Sequence, residues 1–318
     1  MSRVLVTGAQ GFIGQALVHR LLSAGLLGQP IKELILLDLA AANSSGDARV
    51  RVVRGSLADD AVRRMAINTA PDVIFHLASV PGGAAERDPA LGRSVNLDAT
   101  LGLVEACRAL PTPPRFIYAS SVAVYGENLG AVLHEDSPPA PATTYGAHKL
   151  MCEIALADAS RRGWVQGASL RLPGVVARPD ENTGLVSAFM SQLFCSMARG
   201  QAITLPISPQ GRCWWISVGA CVDNLLQMAT INPAQWSAER RYQMPVLHLS
   251  IQAVAEELLQ RFGGSAEQLL HYAPQPAVER LFASAPPLLT PQAERLGLRS
   301  DGDVHTLVTR AQEGLSGS

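Results

Sequence analysis

Three glycines spaced three residues apart, Gly8, Gly11 and Gly14 in VLVTGAQGFIG, constrain this chain more than any other feature. They follow a β-branched run and open an amphipathic stretch, so a strand must pass into a helix through a turn almost bare of side chains. Each glycine has its own reason. Gly8 permits the tight turn, Gly11 lets the backbone come close to a pyrophosphate at the helix's positive end, and Gly14 lets the helix pack on the strand. An acid, Asp38, ends the next β-branched run. A carboxylate there accepts hydrogen bonds from the hydroxyls of an adenosine ribose and repels a 2′-phosphate. Leu39, which follows, brings no cation for such a phosphate. Strand, glycine turn, helix and acid together predict a dinucleotide site that takes NAD in preference to NADP.

Through the first half, short β-branched runs alternate with amphipathic ones, the pattern of a parallel sheet covered by helices on both faces. Strands are predicted at RVLVTG, ELILLDL, RVRVVRG, DVIFHLA, RFIYASS and GASLRLP, with helices from Phe12 to Ser23, Asp59 to Asn68 and Leu91 to Ala109. Past residue 172 the alternation becomes irregular and proline-rich pieces separate short helices. The expected fold class is therefore α/β: a Rossmann-type doubly wound parallel sheet over 1–172 and a smaller, mainly helical substrate lobe over 173–318. Some segments of the lobe are expected to return to the first domain, and the lobe itself to lie over the sheet's carboxyl edge, where open α/β folds bind ligands.

Charge and cysteine usage narrow the partners. With 26 basic and 27 acidic residues the net charge is −1, which gives no basic field for nucleic acid or an anionic membrane. The five cysteines are scattered and never spaced Cys-x-x-Cys; a disulfide framework and a metal site are both unexpected, and a reducing cytoplasm fits. The opening residues, broken by three glycines, read as neither a signal peptide nor a membrane span.

The pentapeptide YGAHK, Tyr145 to Lys149, holds one of two lysines among 26 basic residues. Four apart on a helix, the phenol and the ammonium leave the same face. Phenols ordinarily ionise near pH ~10, and an ammonium together with a positive nicotinamide favours phenolate, which makes a base. Lysine also offers a compact, rotating donor to a nicotinamide ribose, which arginine's planar fork does differently. At the end of the fifth predicted strand, in YASSVAVYG, Ser121 is expected beside a substrate hydroxyl. Ser120 is its easily confused neighbour, and a turn-capping role for both serines is the plain alternative. Ser121, Tyr145 and Lys149 together form a proton relay beside a hydride acceptor.

These residues resemble the extended short-chain dehydrogenase/reductase family, the group of NAD-dependent sugar-nucleotide epimerases and dehydratases. The resemblance covers the cofactor half closely, through the glycine motif, HLAS, SSVAVYG, Tyr-x-x-x-Lys and LRLP. It implies Ser121, Tyr145 and Lys149 as the active-site set, with Asn96 in SVNLDAT supporting the active-site helix and Pro173 near the nicotinamide. It implies further cofactor contacts from Phe12, Ile13, Leu57 and Leu77, with Ala78 and Ser79 along the cofactor or substrate channel. One departure concerns adenine: the family often has Gly-Asp-Leu after the third strand, whereas this chain has Gly55-Ser56-Leu57, leaving Ser56 as the substitute.

Dehydration is not expected, because the dehydratases carry Thr-Asp-Glu where this chain has Ser121-Val122-Ala123 and so lacks an acid for the departing hydroxyl. The epimerases' Arg-Asp-Phe-Val-x-Val-x-Asp appears here as RCWWISVGACVDNL, which keeps Arg212 and replaces the acids by Cys213 and Val218 or Gly219. Over nearly its whole length the chain is most similar to a branch that oxidises four-carbon sugar acids. That likeness implies NAD-dependent hydride transfer from C2 with a tyrosine base, on a small-molecule sugar-acid substrate. The substrate carboxylate then needs a partner, and Arg178 and Arg212 are the candidates. Trp214 and Trp215 either wall a pocket or fill the lobe's core; His76 and Cys213 read as structural. A sugar-nucleotide epimerase with tightly bound NAD stays open as the alternative, as does a cofactor-sensing regulator, which the complete Ser121, Tyr145 and Lys149 set disfavours. A homodimer is expected across helix faces near 91–109 and 145–159, as is common in the family.

Overall fold

The computed structural model describes residues 1–40, 46–179 and 187–316. The chain divides into two compact units, the first made of Met1–Val124, Pro141–Arg171 and Val222–Gln243, the second of Tyr125–Ala140, Leu172–Cys221 and Met244–Ser318. The segment Val222–Gln243 joins the first unit because its last residues add a strand to that unit's sheet.

The first unit is built on seven strands: β1 (Ser2–Thr7), β2 (Ile31–Asp38), β3 (Val50–Arg54), β4 (Val73–His76), β5 (Arg115–Ser121), β6 (Gln166–Leu172) and β7 (Arg241–Gln243). They form a parallel sheet in the order β7-β6-β5-β4-β1-β2-β3. All six strands predicted from sequence are present; the seventh, only three residues long, is not legible as an alternating run. The chain goes outward from β1 through β2 and β3, then crosses back to β4 on the other side of β1. The carboxyl ends of β1 and β4 therefore flank the reversal at which open α/β sheets bind ligands. Near-continuous apolar runs in the central strands reflect burial on both faces: Val4, Leu5, Val6, Leu34, Ile35, Ile74 and Phe75 are all fully buried.

Helices of this unit are α1 (Phe12–Ala24), α2 (Asp60–Ile67), α3 (Gly82–Arg87), α4 (Pro89–Gly92), α5 (Ala99–Cys107) and α6 (Thr144–Arg161). The helix expected from Leu91 to Ala109 is interrupted. Between α4 and α5, Arg93–Asp98 forms a π turn, and Asn96 lies in it. Leu103, Val104 and Cys107 of α5 pack with Cys152, Leu156 and Ala159 of α6 and with Phe116 and Tyr118 of β5 into one apolar core.

The second unit carries small sheets besides its helices. Gly174–Val176, Arg212–Ser217 and Leu247–Ser250 form a three-stranded sheet with Arg212–Ser217 in the middle, parallel to the first and antiparallel to the last. Trp215 on the central strand packs with Phe194, Met190 and Val254 from the helices Ala188–Ala198 and Ile251–Phe262. At the foot of that strand, where the resembled motif has an acid in sequence, a carboxylate arrives from elsewhere. Asp301 accepts from Ser217 N at 2.8 Å and from Ser217 Oγ at 2.6 Å, while Ser217 Oγ accepts from Ala220 N at 3.0 Å. Gly219 leaves room for Arg310, whose guanidinium lies 3.2 Å from where a Cβ would stand. Among the described residues no helix is long and apolar enough to cross a membrane, and no group of three metal-ligating side chains occurs.

Candidate active site

At the end of β1 the chain turns on Gly8, whose φ of 69° lies in the left-handed region. A Cβ there would stand 2.7 Å from Ala78 N, at the end of β4, and one on Gly14 would stand 2.1 Å from Gly8 O. Both glycines are thus fixed by backbone passing against backbone. Gly11 is the N-cap of α1, and no side chain caps the helix start, where the backbone amides form a positive pole. Phe12 and Ile13 occupy the first turn and are partly buried. Asp38 closes the edge of this turn, its Oδ2 accepting from Gln10 N at 2.9 Å and its Oδ1 from Ala40 N at 3.2 Å. A glycine turn, a helix start without a side-chain cap and an acid suit a dinucleotide on this chain's own geometry. Beyond β3, Leu57 is buried, and Ser56 Oγ is used locally, accepting from Ala58 N at 3.2 Å.

The end of β4 is tied inward. His76 is fully buried between two threonines: Thr100 Oγ1 donates to Asn96 O at 2.9 Å, which leaves it to accept from His76 Nε2 at 2.8 Å, and Thr7 Oγ1 donates to His76 Nδ1 at 2.6 Å. Burial, helped by the Lys149 ammonium, pushes this imidazole down to about 3. It is a neutral strut linking β1, β4 and α5. Leu77 N donates to Thr7 O at 3.2 Å and Ala78 N to Thr7 Oγ1 at 3.3 Å. Asn96 grips the next residues, its Oδ1 accepting from Val80 N at 2.7 Å and from Ser79 Oγ at 3.2 Å, its Nδ2 donating to Val80 O at 3.0 Å. Asn96 O also accepts from Cys152 Sγ of α6 at 3.3 Å. The π turn thus holds both the segment after β4 and the helix of the tyrosine.

That helix, α6, is capped twice. Thr143 Oγ1 accepts from Gly146 N at 3.0 Å, and Glu86 Oε1 of α3 accepts from Thr144 N at 2.5 Å. Gly146 lets α6 touch the chain just beyond Ser121, since a Cβ there would stand 2.3 Å from Ala123 O. Tyr145 is half-buried, with its Cβ and Cγ 3.6 Å from where a Gly82 Cβ would be. Lys149 is 2 % exposed; its Nζ donates to Ala119 O at 2.7 Å and stands 4.8 Å from the Tyr118 ring centre and 5.4 Å from that of Tyr145. A slender side chain reaches this slot between two phenols, which a guanidinium fork would overfill.

The two serines part company. Ser120 is buried and donates to Glu153 Oε1 at 2.5 Å, whereas Ser121 is half-buried, its Oγ accepting from Ala123 N at 3.2 Å. Ser121, Tyr145 and Lys149 therefore come from the end of β5 and the first two turns of α6, within the first unit. Pro173, Arg178 and Arg212 belong to the second unit. Pro173 stands between β6 and the strand Gly174–Val176. Arg178 O accepts from Cys195 Sγ at 3.4 Å, and Arg212 is exposed, donating to His248 O at 3.5 Å. Trp214 and Trp215 are core, their indoles donating to Pro286 O at 2.7 Å and Leu249 O at 3.0 Å. Cys213 is buried too, its thiol pushed up to about 12 by burial first and the Glu279 charge second. All five cysteines are buried and outside any disulfide. Gly146, Ala119 O and the Glu153 carboxylate are site features that sequence reasoning passes over. Of these only Gly146, beside the tyrosine, carries a signal in the sequence.

Comparison with known proteins follows the same lines. Residues 4–237 match the NAD dependent epimerase/dehydratase family. A D-erythronate dehydrogenase from Cupriavidus necator is 37% identical over 316 residues, 98% of each chain, and one from Haemophilus influenzae is 29% identical over 308 residues, 96% of this chain and 97% of that one. Among solved structures, a nucleoside-diphosphate-sugar epimerase from Agrobacterium tumefaciens superposes with a TM-score of 0.90 at 29% identity, covering 100% of this chain and 95% of that one.

Proposed function

The chain belongs to the NAD dependent epimerase/dehydratase family, and from that premise we propose that it oxidises D-erythronate at C2 to 2-oxo-tetronate with reduction of NAD. It is a dehydrogenase acting on a CH–OH group. The observation that carries the choice of substrate is the end-to-end likeness to two D-erythronate dehydrogenases, which extends through the second unit. When bound, the dinucleotide supplies the hydride acceptor. Gly8, Gly11 and Gly14 would hold its pyrophosphate on the start of α1, with Phe12, Ile13, Leu57, Leu77, Ala78 and Pro173 lining it. Asp38 favours NAD, because its carboxylate repels a 2′-phosphate.

Tyr145 Oη takes the proton of the C2 hydroxyl as the C2–H electron pair leaves, and Ser121 Oγ orients the substrate oxygen; such base assistance contributes about 10²–10⁴ in rate. The Lys149 ammonium offsets the charge on the phenol oxygen, and Asn96 fixes the π turn against which α6 packs. Arg178 and Arg212 are the candidates for the substrate carboxylate, since a guanidinium offers it two parallel donors. Five buried cysteines outside any disulfide suit a cytoplasmic enzyme. A homodimer would cover Leu91, Leu101, Met151 and Ile154, which are 45%, 37%, 43% and 60% exposed on the stretches 91–109 and 145–159.

The likeness to a nucleoside-diphosphate-sugar epimerase favours a second reading, in which the hydride is returned to the substrate and no NADH is released. Spectrophotometric assay of NADH with D-erythronate, L-threonate and UDP-sugars separates the two. NADH formation with a tetronate, abolished in Tyr145→Phe, is the expected result. Silence with every acid, or undiminished activity in Tyr145→Phe, refutes the proposal.

A further inference from the structure

Behind the candidate active site lies a charged group that no step above uses. Glu153 and Arg171 are 4% and 1% exposed, and they meet as a fork on a fork: Arg171 Nε donates to Glu153 Oε1 at 2.9 Å and Arg171 Nη2 to Oε2 at 2.7 Å. Ser120 Oγ adds a third hydrogen bond, to Oε1 at 2.5 Å. The three side chains come from β5, α6 and β6, and Gln243 of β7 donates to Arg171 O at 3.0 Å.

Burying a carboxylate and a guanidinium is a poor way to glue a helix to a sheet, because apolar residues of the same volume usually do it as well or better. A bidentate pair gives direction instead, since two parallel hydrogen bonds fix the angle as well as the distance between the groups. Here the corners of the clamp adjoin the reacting groups. Ser120 immediately precedes Ser121, and Glu153 stands one helical turn beyond Lys149. The strand puts the adjacent serines on opposite faces, and the clamp holds Ser120 on the buried one.

We propose that the Ser120–Glu153–Arg171 clamp is a positioning device: it sets the rotation of α6 against the end of β5, and so the spacing of Ser121 from the Tyr145–Lys149 pair. The proposal rests on the roles given above to those three residues but not on which alcohol is oxidised. The full-length protein is compared with Ser120→Ala, Glu153→Gln and the apolar double variant Glu153→Met/Arg171→Met, with Tyr145→Phe as the control. Each is measured with whichever tetronate or UDP-sugar the unaltered chain turns over fastest. NAD affinity is read by tryptophan fluorescence and the melting temperature by calorimetry.

Misplacing a reacting group slightly costs about tenfold to a hundredfold in rate, so kcat should fall by that factor in Ser120→Ala and in the double variant. KM and the NAD dissociation constant should stay within about twofold, and the melting temperature of the double variant should not drop. Rates within about twofold of the unaltered chain, with Tyr145→Phe inactive, overturn the clamp and leave the reading of function standing. Parallel loss of kcat, NAD affinity and melting temperature also overturns it, by making the pair a fold element only. Full activity in Tyr145→Phe removes the reading of the site and the clamp with it. If the double variant fails to fold, Ser120→Ala, which removes a single oxygen, decides.

Discussion

Protonation of His76 should destabilise the first unit, whose strands β1 and β4 it ties to α5. The imidazole is fully buried, accepts from Thr7 and donates to Thr100, and its folded-state pKa is pushed from 6.5 to about 3, by burial first and the Lys149 charge second. A depressed folded pKa means that the stabilisation is complete above the unfolded value near 6.5 and is lost as pH falls toward 3. At ~1.4 kcal/mol per unit, His76 alone removes about 3 kcal/mol by about pH 4.5, and about 5 kcal/mol once pH is below 3. His76→Gln keeps a donor and an acceptor but cannot titrate. Urea unfolding of both chains at neutral pH and at about pH 4.5 isolates the difference, because other titrating groups cancel. The unaltered chain should lose about 3 kcal/mol more than the variant over that interval. NMR of the imidazole should show no titration step for His76 down to pH ~4. A step near 6, or equal acid sensitivity in the two chains, refutes the reasoning.

Two further substitutions test the scaffold. Gly14→Ala places a methyl 2.1 Å from Gly8 O and 2.9 Å from Ala9 Cα, so the turn must open; we expect a stability loss of about 1–3 kcal/mol and NAD affinity, read by fluorescence titration, at least tenfold weaker. Asp301→Asn puts an amide donor toward the Ser217 N–H and hydroxyl that now donate to the carboxylate, and should cost about 1–3 kcal/mol in urea unfolding, with wild-type stability sinking the assignment.

The legible parts of this fold are those written in local pattern. The first six strands of the central sheet are runs of four to eight residues bounded by turns, and Gly14 is forced by contacts close in sequence, with Gly8 O and Ala9, so both show through, whereas the backbone that crowds Gly8 comes from Ala78. Tyr145 and Lys149 are legible because lysine is rare here and the spacing equals one helical turn. What stays hidden is set by contacts remote in sequence. Asp301 reaches Ser217 across 84 positions, Arg171 finds Glu153 across 18, and β7 pairs with β6 through only three residues. Ser120 and Ser121 are chemically identical in sequence, and in the structure burial and the Glu153 carboxylate behind Ser120 set the two apart.

The π turn at Arg93–Asp98 carries a consequence for how this chain tolerates change. Such a turn holds one residue more than an ordinary helical turn, and each residue rotates a helix by about 100°. Deleting any one position there would yield a smoother, more regular helix, yet would swing Asn96 away from Val80 while α5 stayed seated on its core. Length in this stretch is therefore under tighter constraint than the chemical identity of most of its residues, and an insertion or deletion confined to it should be far more damaging than a substitution.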